Sequence, residues 1–209
     1  MSTADPQLPS TYFQRRDESA DELFYTTPRL VVHIDDTAIR ALTALFAKLL
    51  PSGGTYLDLM SSWRSHLPAE LEPRRVVGLG LNAAEMADNP QLTETVVHNL
   101  NETPTLPFVD AEFDAVVCTV SVQYMTQPIA VFREVNRVLK PAGLFVVSFS
   151  NRCFPTKAVA AWLAGGDREH LGLVQQYFAA AGNWHEPKAA ANTPHHADPL
   201  YVIWGQKVA

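Results

Sequence analysis

Residues 112–149 read EFDAVVCTVSVQYMTQPIAVFREVNRVLKPAGLFVVSF, and the fold turns on this stretch. Asp114 to Thr119 and Leu144 to Phe149 are apolar runs of strand length, as strands covered on both faces must be. Between them Pro128 suits a first helical turn, and Ile129, Val131, Phe132, Val135 and Val138 recur at helical spacing to give one apolar face. Pro141-Ala142-Gly143 predicts the end of that helix and the turn into the next strand. Strand, helix and strand in this order make a parallel crossover unit.

The same rhythm extends outward. Thr55 to Leu59, Arg75 to Leu79 and Thr95 to His98 read as earlier strands, and Pro199 to Val208 as a final one rich in Leu, Tyr, Val, Ile and Trp. Asp36 is the predicted cap of a helix over Thr37 to Leu50, and Asp167 of one over Arg168 to Ala181. About seven strands result, with no repeat, low-complexity tract or linker. The expectation is a single three-layer α/β/α domain over residues 1–209, with residues 1–30 as an N-terminal arm or lid.

Composition excludes several classes of function. The chain has 209 residues, 47% of them hydrophobic, and a formal charge of −6. No basic cluster exceeds the pairs Arg15-Arg16 and Arg74-Arg75, which argues against a surface that tracks phosphates and so against nucleic acid. No apolar run nears the roughly 20 residues of a membrane span, and Met1 to Ser10 lacks a basic-then-apolar secretory pattern, so a cytoplasmic location is expected. Cys118 and Cys153 are expected as reduced thiols. His185, His195, His196 and Asp198 match no metal-ligand spacing, so no metal is expected.

In an open α/β sheet, ligands bind beyond the carboxyl ends of the strands. Those ends carry a resemblance. Leu106-Pro107-Phe108, Glu112 to Val117, Phe132-Arg133-Glu134-Val135 and Arg137 to Leu144, in this order and spacing, resemble the class I S-adenosylmethionine-dependent methyltransferases, in their ubiquinone/menaquinone-type (type 11) branch. The run Asp58-Leu59-Met60-Ser61-Ser62-Trp63-Arg64-Ser65-His66-Leu67-Pro68 looks like that of a less-studied subgroup. The resemblance implies a Rossmann-like methyltransferase fold, a seven-stranded and mostly parallel sheet with an antiparallel last strand, and S-adenosyl-L-methionine as cofactor. It places cofactor contacts at Asp58, Leu59, Met60, Ser61, Ser62, Trp63, Gly80, Leu81, Asn82, Asn99, Leu100 and Ser121.

Several of these positions depart from the family pattern. Met60, Ser62 and Arg64 stand where the family has glycines, so residues with side chains must make the close backbone approach. Gly80 stands where the family offers an acid to the ribose hydroxyls. Asn82 has two readings, a ribose contact or an Asx cap for the turn that follows. Asn99 replaces an acid facing the adenine amine, and its carbonyl can still accept that hydrogen bond.

Methyl transfer from a sulfonium needs positioning and, for a hydroxyl or amine acceptor, a base. His66 and Tyr124 are the candidate catalytic residues; the alternatives are a structural histidine and a half-buried tyrosine with a bonded hydroxyl. Tyr12, Tyr25, Arg29 and Arg152 are the candidate substrate residues, Arg152 for an anionic acceptor. The expected function is methyl transfer to a small molecule by a monomer or homodimer, and the alternative is a non-catalytic S-adenosylmethionine-binding or scaffold protein. Gly78-Leu79-Gly80 lacks the third glycine and the later acid of a dinucleotide loop, which disfavours an oxidoreductase.

Overall fold

A computed structural model describes residues 8–209. The first seven residues of the expected arm lie outside the described residues. In chain order the elements are α1 (Asp21–Tyr25), α2 (Asp36–Leu49), β1 (Thr55–Leu59), β2 (Arg75–Gly80), α3 (Ala83–Ala87), β3 (Glu94–Val97), β4 (Phe113–Thr119), α4 (Pro128–Val138), β5 (Leu139–Phe149), α5 (Ala160–Ala164), α6 (Asp167–Ala181), β6 (Lys188–Asn192) and β7 (Leu200–Gln206). Short 3-10 turns lie at Ser10–Phe13, Ala69–Leu71 and Val122–Tyr124. Among the described residues no helix is long and apolar enough to cross a membrane.

The strands form one seven-stranded sheet ordered β3-β2-β1-β4-β5-β7-β6. β1 pairs parallel with β2 and β4, and β4 with β5, whereas β7 runs antiparallel to both β5 and β6. Chain order moves outward from β1 to β3 and then restarts at β4 on the other side of β1. The switch point therefore lies between the carboxyl ends of β1 and β4, where a crevice opens.

Each central strand buries alternate residues against opposite layers. Leu57, Leu59, Val77, Leu79, Val116, Cys118, Phe145 and Val147 join the face covered by Val131, Phe132 and Val135 of α4 and Tyr177 and Phe178 of α6. Tyr56, Val76, Ala115, Val117 and Val146 meet Ala38, Leu42 and Phe46 of α2 on the other face. The two-residue period, masked in sequence because both faces are apolar, sets the register.

Four boundaries differ from the sequence reading. Asp35, not Asp36, caps α2: its Oδ1 accepts from Ala38 N at 2.9 Å. Gly166 precedes α6, its N–H donating to Glu169 Oε2 at 3.0 Å, while Asp167 takes the hydroxyl of Tyr201. β5 begins at Leu139 and runs through Pro141-Ala142-Gly143, with an irregularity opposite Phe113 and Ala115. β6 has only three alanines between polar ends, so no apolar alternation announced it; pairing with β7 defines it.

Asp35 does two jobs, because its Oδ2 also accepts from Asp198 N at 2.7 Å. Asp35→Ala is expected to lower stability by about 1 kcal/mol, the usual value of a lost N-cap, in a urea titration. An unchanged midpoint would refute this.

Candidate functional site

The crevice at the switch point is a cavity of about 480 Å³. It is lined by the loop after β1 (Met60 to Arg64, and His66), by Leu79 to Asn82 after β2, by His98 to Asn101 after β3 and by Thr119 to Ser121 and Tyr124 after β4. Arg152 to Phe154 after β5, Arg29 of the arm and Val31 to Asp35 after it close the far side.

The loop after β1 does without glycine through one strained residue and a polar web. Met60 takes φ 58°, a left-handed conformation that favours glycine, and turns the chain back over the sheet. Ser61 N then donates to Leu79 O at 2.8 Å, which lays the loop across the end of β2. Ser61 Oγ and Ser65 Oγ donate to Asp58 Oδ2 at 2.6 and 2.7 Å, and Asn89 Nδ2 donates to Ser65 Oγ at 2.9 Å and Ser62 O at 3.1 Å. Trp63 Nε1 donates to Asp88 Oδ2, and Arg64 stacks 3.8 Å from the Trp63 ring centre.

Gly80 is the position this crossing demands. A Cβ there would lie 2.2 Å from the carbonyl oxygen of Ser61, closer than any contact tolerates. The carboxylate of this region stands instead on α3: Glu85, buried, accepts from Arg29 N at 2.6 Å and from Ser62 Oγ. Nothing in the sequence singles it out, because only the crossing loop brings it to the cavity.

Asp58 is almost wholly buried and carries no cation within ion-pair distance among the described residues. Burial pushes its carboxyl up to about 6, against the pull of the Ser61 and Ser65 hydroxyls. Near neutral pH it presents an uncompensated negative charge to the cavity.

Asn82 shows its capping role: Oδ1 accepts from Ala84 N and Glu85 N, both at 3.0 Å, and Nδ2 donates to Tyr25 O at 2.8 Å. Asn99 turns its amide to Glu22 Oε1 at 2.6 Å and its carbonyl to Asn101 N at 3.0 Å. Ser121 Oγ donates to Thr119 O, and Leu81 and Leu100 line the wall. Two expected residues do not reach the cavity. Leu59 is in the sheet core, its strand alternation turning it toward α4, and Tyr12 stands largely exposed on the first 3-10 turn.

On the wall next to the β5 loop, Tyr124 OH accepts from Phe154 N at 2.8 Å, and burial pushes its phenol up to about 12. The His66 and His33 rings make no hydrogen bond among the described residues, and both line the cavity. Burial, with Arg64 and His33 nearby, holds the His66 imidazole below its ordinary value and therefore neutral near pH 7. Arg152 pairs with Asp198 at 3.0 Å and stands mostly in solvent.

The arm is fixed by charges that the sequence reading passed over. Lys157, fully buried, donates to Ser19 O at 2.6 Å and pairs with Asp17 at 3.2 Å and Asp21 at 3.4 Å. Arg15 pairs with Asp21 at 2.6 Å, and Asn101 Nδ2 reaches the other Asp21 oxygen at 2.8 Å. Arg15 and Asp21 are six residues apart, but Lys157 and Asn101 lie 80 or more residues from their partners here, so no local pattern marks the cluster.

Comparison with known proteins gives this cavity a context. Residues 64–147 match the family described as methyltransferase domain. Over 159 residues the chain is 28% identical to the uncharacterized protein Rv2003c of Mycobacterium tuberculosis, covering 73% of this chain and 50% of the relative. It is 27% identical over 118 residues to a malonyl-[acyl-carrier protein] O-methyltransferase of Marinomonas sp., covering 54% and 42%. The chain thus spans half or less of these curated relatives' length. Among solved structures, a putative methyltransferase complexed with the Trm112 activator of Haloferax volcanii superposes with TM-score 0.61 at 15% identity, over 83% of this chain and 91% of that one. An S-adenosylmethionine-dependent methyltransferase of Thermotoga maritima, a possible histamine N-methyltransferase, superposes with TM-score 0.58 at 15% identity, over 81% and 89%. At such identities these likenesses concern the fold.

Proposed function

With a methyltransferase domain on a methyltransferase fold as premise, we propose that this chain is an S-adenosylmethionine-dependent methyltransferase acting on a small molecule. The observation that carries the reading is the unpaired, buried Asp58 carboxylate at the switch-point cavity. A ligand with a sulfonium and an ammonium supplies the positive charge that Asp58 lacks.

When bound, S-adenosylmethionine supplies a sulfonium methyl group, an electrophile that needs alignment more than activation. This chain's part is to align and to manage a proton. The Met60 to Trp63 loop and the walls at Leu81, Leu100 and Ser121 position the cofactor, with Gly80 leaving room for the loop and Asn82 fixing α3 and the arm. Tyr25 and Arg29 of the arm face the acceptor and, with the Lys157 and Arg15 ion pairs holding the arm down, exclude water. His66, neutral and unbonded, accepts the proton that an attacking hydroxyl or amine must lose. Tyr124, whose hydroxyl is already an acceptor for Phe154 N, holds the β5 loop at the acceptor.

Calorimetric titration with S-adenosylmethionine and formation of S-adenosylhomocysteine across a panel of small hydroxyl, amine and carboxyl acceptors test the reading. Absence of binding overturns it. Binding without turnover across the panel supports the non-catalytic alternative, which the closure of the ribose-acid position at Gly80 favours. With an active acceptor in hand and the cofactor saturating, turnover is expected to fall only once pH drops below the ordinary imidazole range, because burial holds the His66 imidazole under it. His66→Gln is expected to lose that limb and about tenfold in rate without changing cofactor affinity, and an unaltered profile would exclude His66 as the base.

A further inference from the structure

Five cationic side chains line the cavity, and four have a carboxylate partner: Arg15 with Asp21, Lys157 with Asp17 and Asp21, Arg64 with Asp88 at 3.7 Å and Arg152 with Asp198. Arg29 is the exception among the described residues. Its backbone N–H goes to Glu85, yet its guanidinium makes no ion pair there or with any other described residue. The guanidinium lies 4.4 Å from the ring centre of Phe24, 5.4 Å from Phe154 and 5.7 Å from Tyr25. Nη2 donates to Phe24 O at 2.9 Å, while Nη1, sealed from solvent, has no hydrogen-bond partner among the described residues.

A guanidinium this desolvated and short of one acceptor is costly unless something completes it. Three rings fix its position and leave the fork of donors as its unspent capacity, and a planar carboxylate matches such a fork. The surrounding charge selects a monoanion, because Asp58, Glu85 and Asp198 line the same cavity and would repel a doubly charged phosphate. Arg29 also sits at a seam: its backbone is tied to α3, on the cofactor side, and its side chain stacks on Phe154, on the acceptor side.

We propose that Arg29 is a carboxylate receptor in this cavity, its open Nη1 and aromatic cage taking the carboxylate of the bound cofactor's amino-acid part or of an acidic acceptor. The proposal deepens the methyltransferase reading and rests on it for the first of these two sources.

Titrating S-adenosylhomocysteine and 5′-methylthioadenosine, which lacks the amino-acid part, into wild type, Arg29→Gln and Arg29→Lys separates the sources. For a cofactor carboxylate, Arg29→Gln weakens S-adenosylhomocysteine about tenfold or more, the size of a lost charge-assisted hydrogen bond. Methylthioadenosine binding stays within about twofold, and Arg29→Lys recovers part of the loss. For an acceptor carboxylate, S-adenosylhomocysteine affinity is unchanged, but octanoate and benzoate raise the melting temperature of the saturated wild type while their amides do not, and Arg29→Gln loses that response. Melts followed by circular dichroism establish that the variants are folded, and Arg29→Lys carries the test if Arg29→Gln is not. Equal behaviour of wild type and variants toward every ligand, or a preference for inorganic phosphate over the acids, overturns the proposal. If the wild type binds neither adenosine ligand, the methyltransferase reading falls, and the acid-against-amide comparison on the ligand-free protein still decides Arg29.

Discussion

Putting an aspartate at Gly80, where the methyltransferases this sequence resembles offer an acid to the ribose, is expected to destroy the proposed cofactor site instead of completing it. The first atom of any side chain there meets the Ser61 carbonyl oxygen at 2.2 Å, so the loop must move, and Met86 Sδ, 3.2 Å away, must give a little as well. Moving the loop breaks Ser61 N to Leu79 O and strips Asp58 of a hydroxyl donor. A charge placed against a carbonyl oxygen adds to the steric cost. Gly80→Asp is expected to lower stability by about 4 kcal/mol and Gly80→Ala by about 2 to 3 kcal/mol, the range of overpacked and charge-burying substitutions. S-adenosylmethionine affinity is expected to drop beyond detection in the first and at least about tenfold in the second. Urea unfolding and calorimetry check both. A Gly80→Asp protein that is stable and binds more tightly than wild type would show that the loop is free to leave β2.

That expectation also marks how far sequence reasoning reaches. Residues 112–149 specify their strands and helix because each is apolar on the required faces and Pro128 opens the helix, and the fold follows from local pattern even though Pro141 and Gly143 fall inside β5. The loop after β1 is legible as a departure, since Met60, Ser62 and Arg64 are visibly not glycines. Its solution is not, because it depends on Met60 entering the left-handed region and on Asn89 reaching back to Ser62 and Ser65. Gly80 reads in sequence as a missing acid and in three dimensions as the space another backbone occupies. Glu85 and Lys157 escape for a related reason: their partners lie far along the chain, and a charged residue on a short element gives no sign of burial.

The largest separation of stability from binding is expected at Asp58. Its buried carboxyl titrates at about 6, above the ordinary 3.8, so the folded chain holds this proton more tightly than the unfolded one. Stability from the group is therefore fully present below pH 3.8 and is lost as pH rises through about 6, leaving a cost of about 3 kcal/mol once the group is ionised. Asp58→Asn cannot ionise, and its carbonyl still accepts from Ser61 and Ser65. Relative to wild type, the variant is expected to gain stability between about pH 4 and pH 6 and to keep a constant lead above that. Under the proposed function that cost has a use, because the bare charge is what a cationic ligand would meet. The same substitution is accordingly expected to weaken S-adenosylmethionine binding about 100-fold at pH 8, in line with a buried ionic hydrogen bond left without its charge. Wild-type affinity should itself fall as pH drops through 6, and the variant's should not. Urea midpoints and calorimetric affinities across pH 4 to 8 measure both curves, and a variant that binds as tightly as wild type at pH 8 would remove Asp58 from the cofactor site.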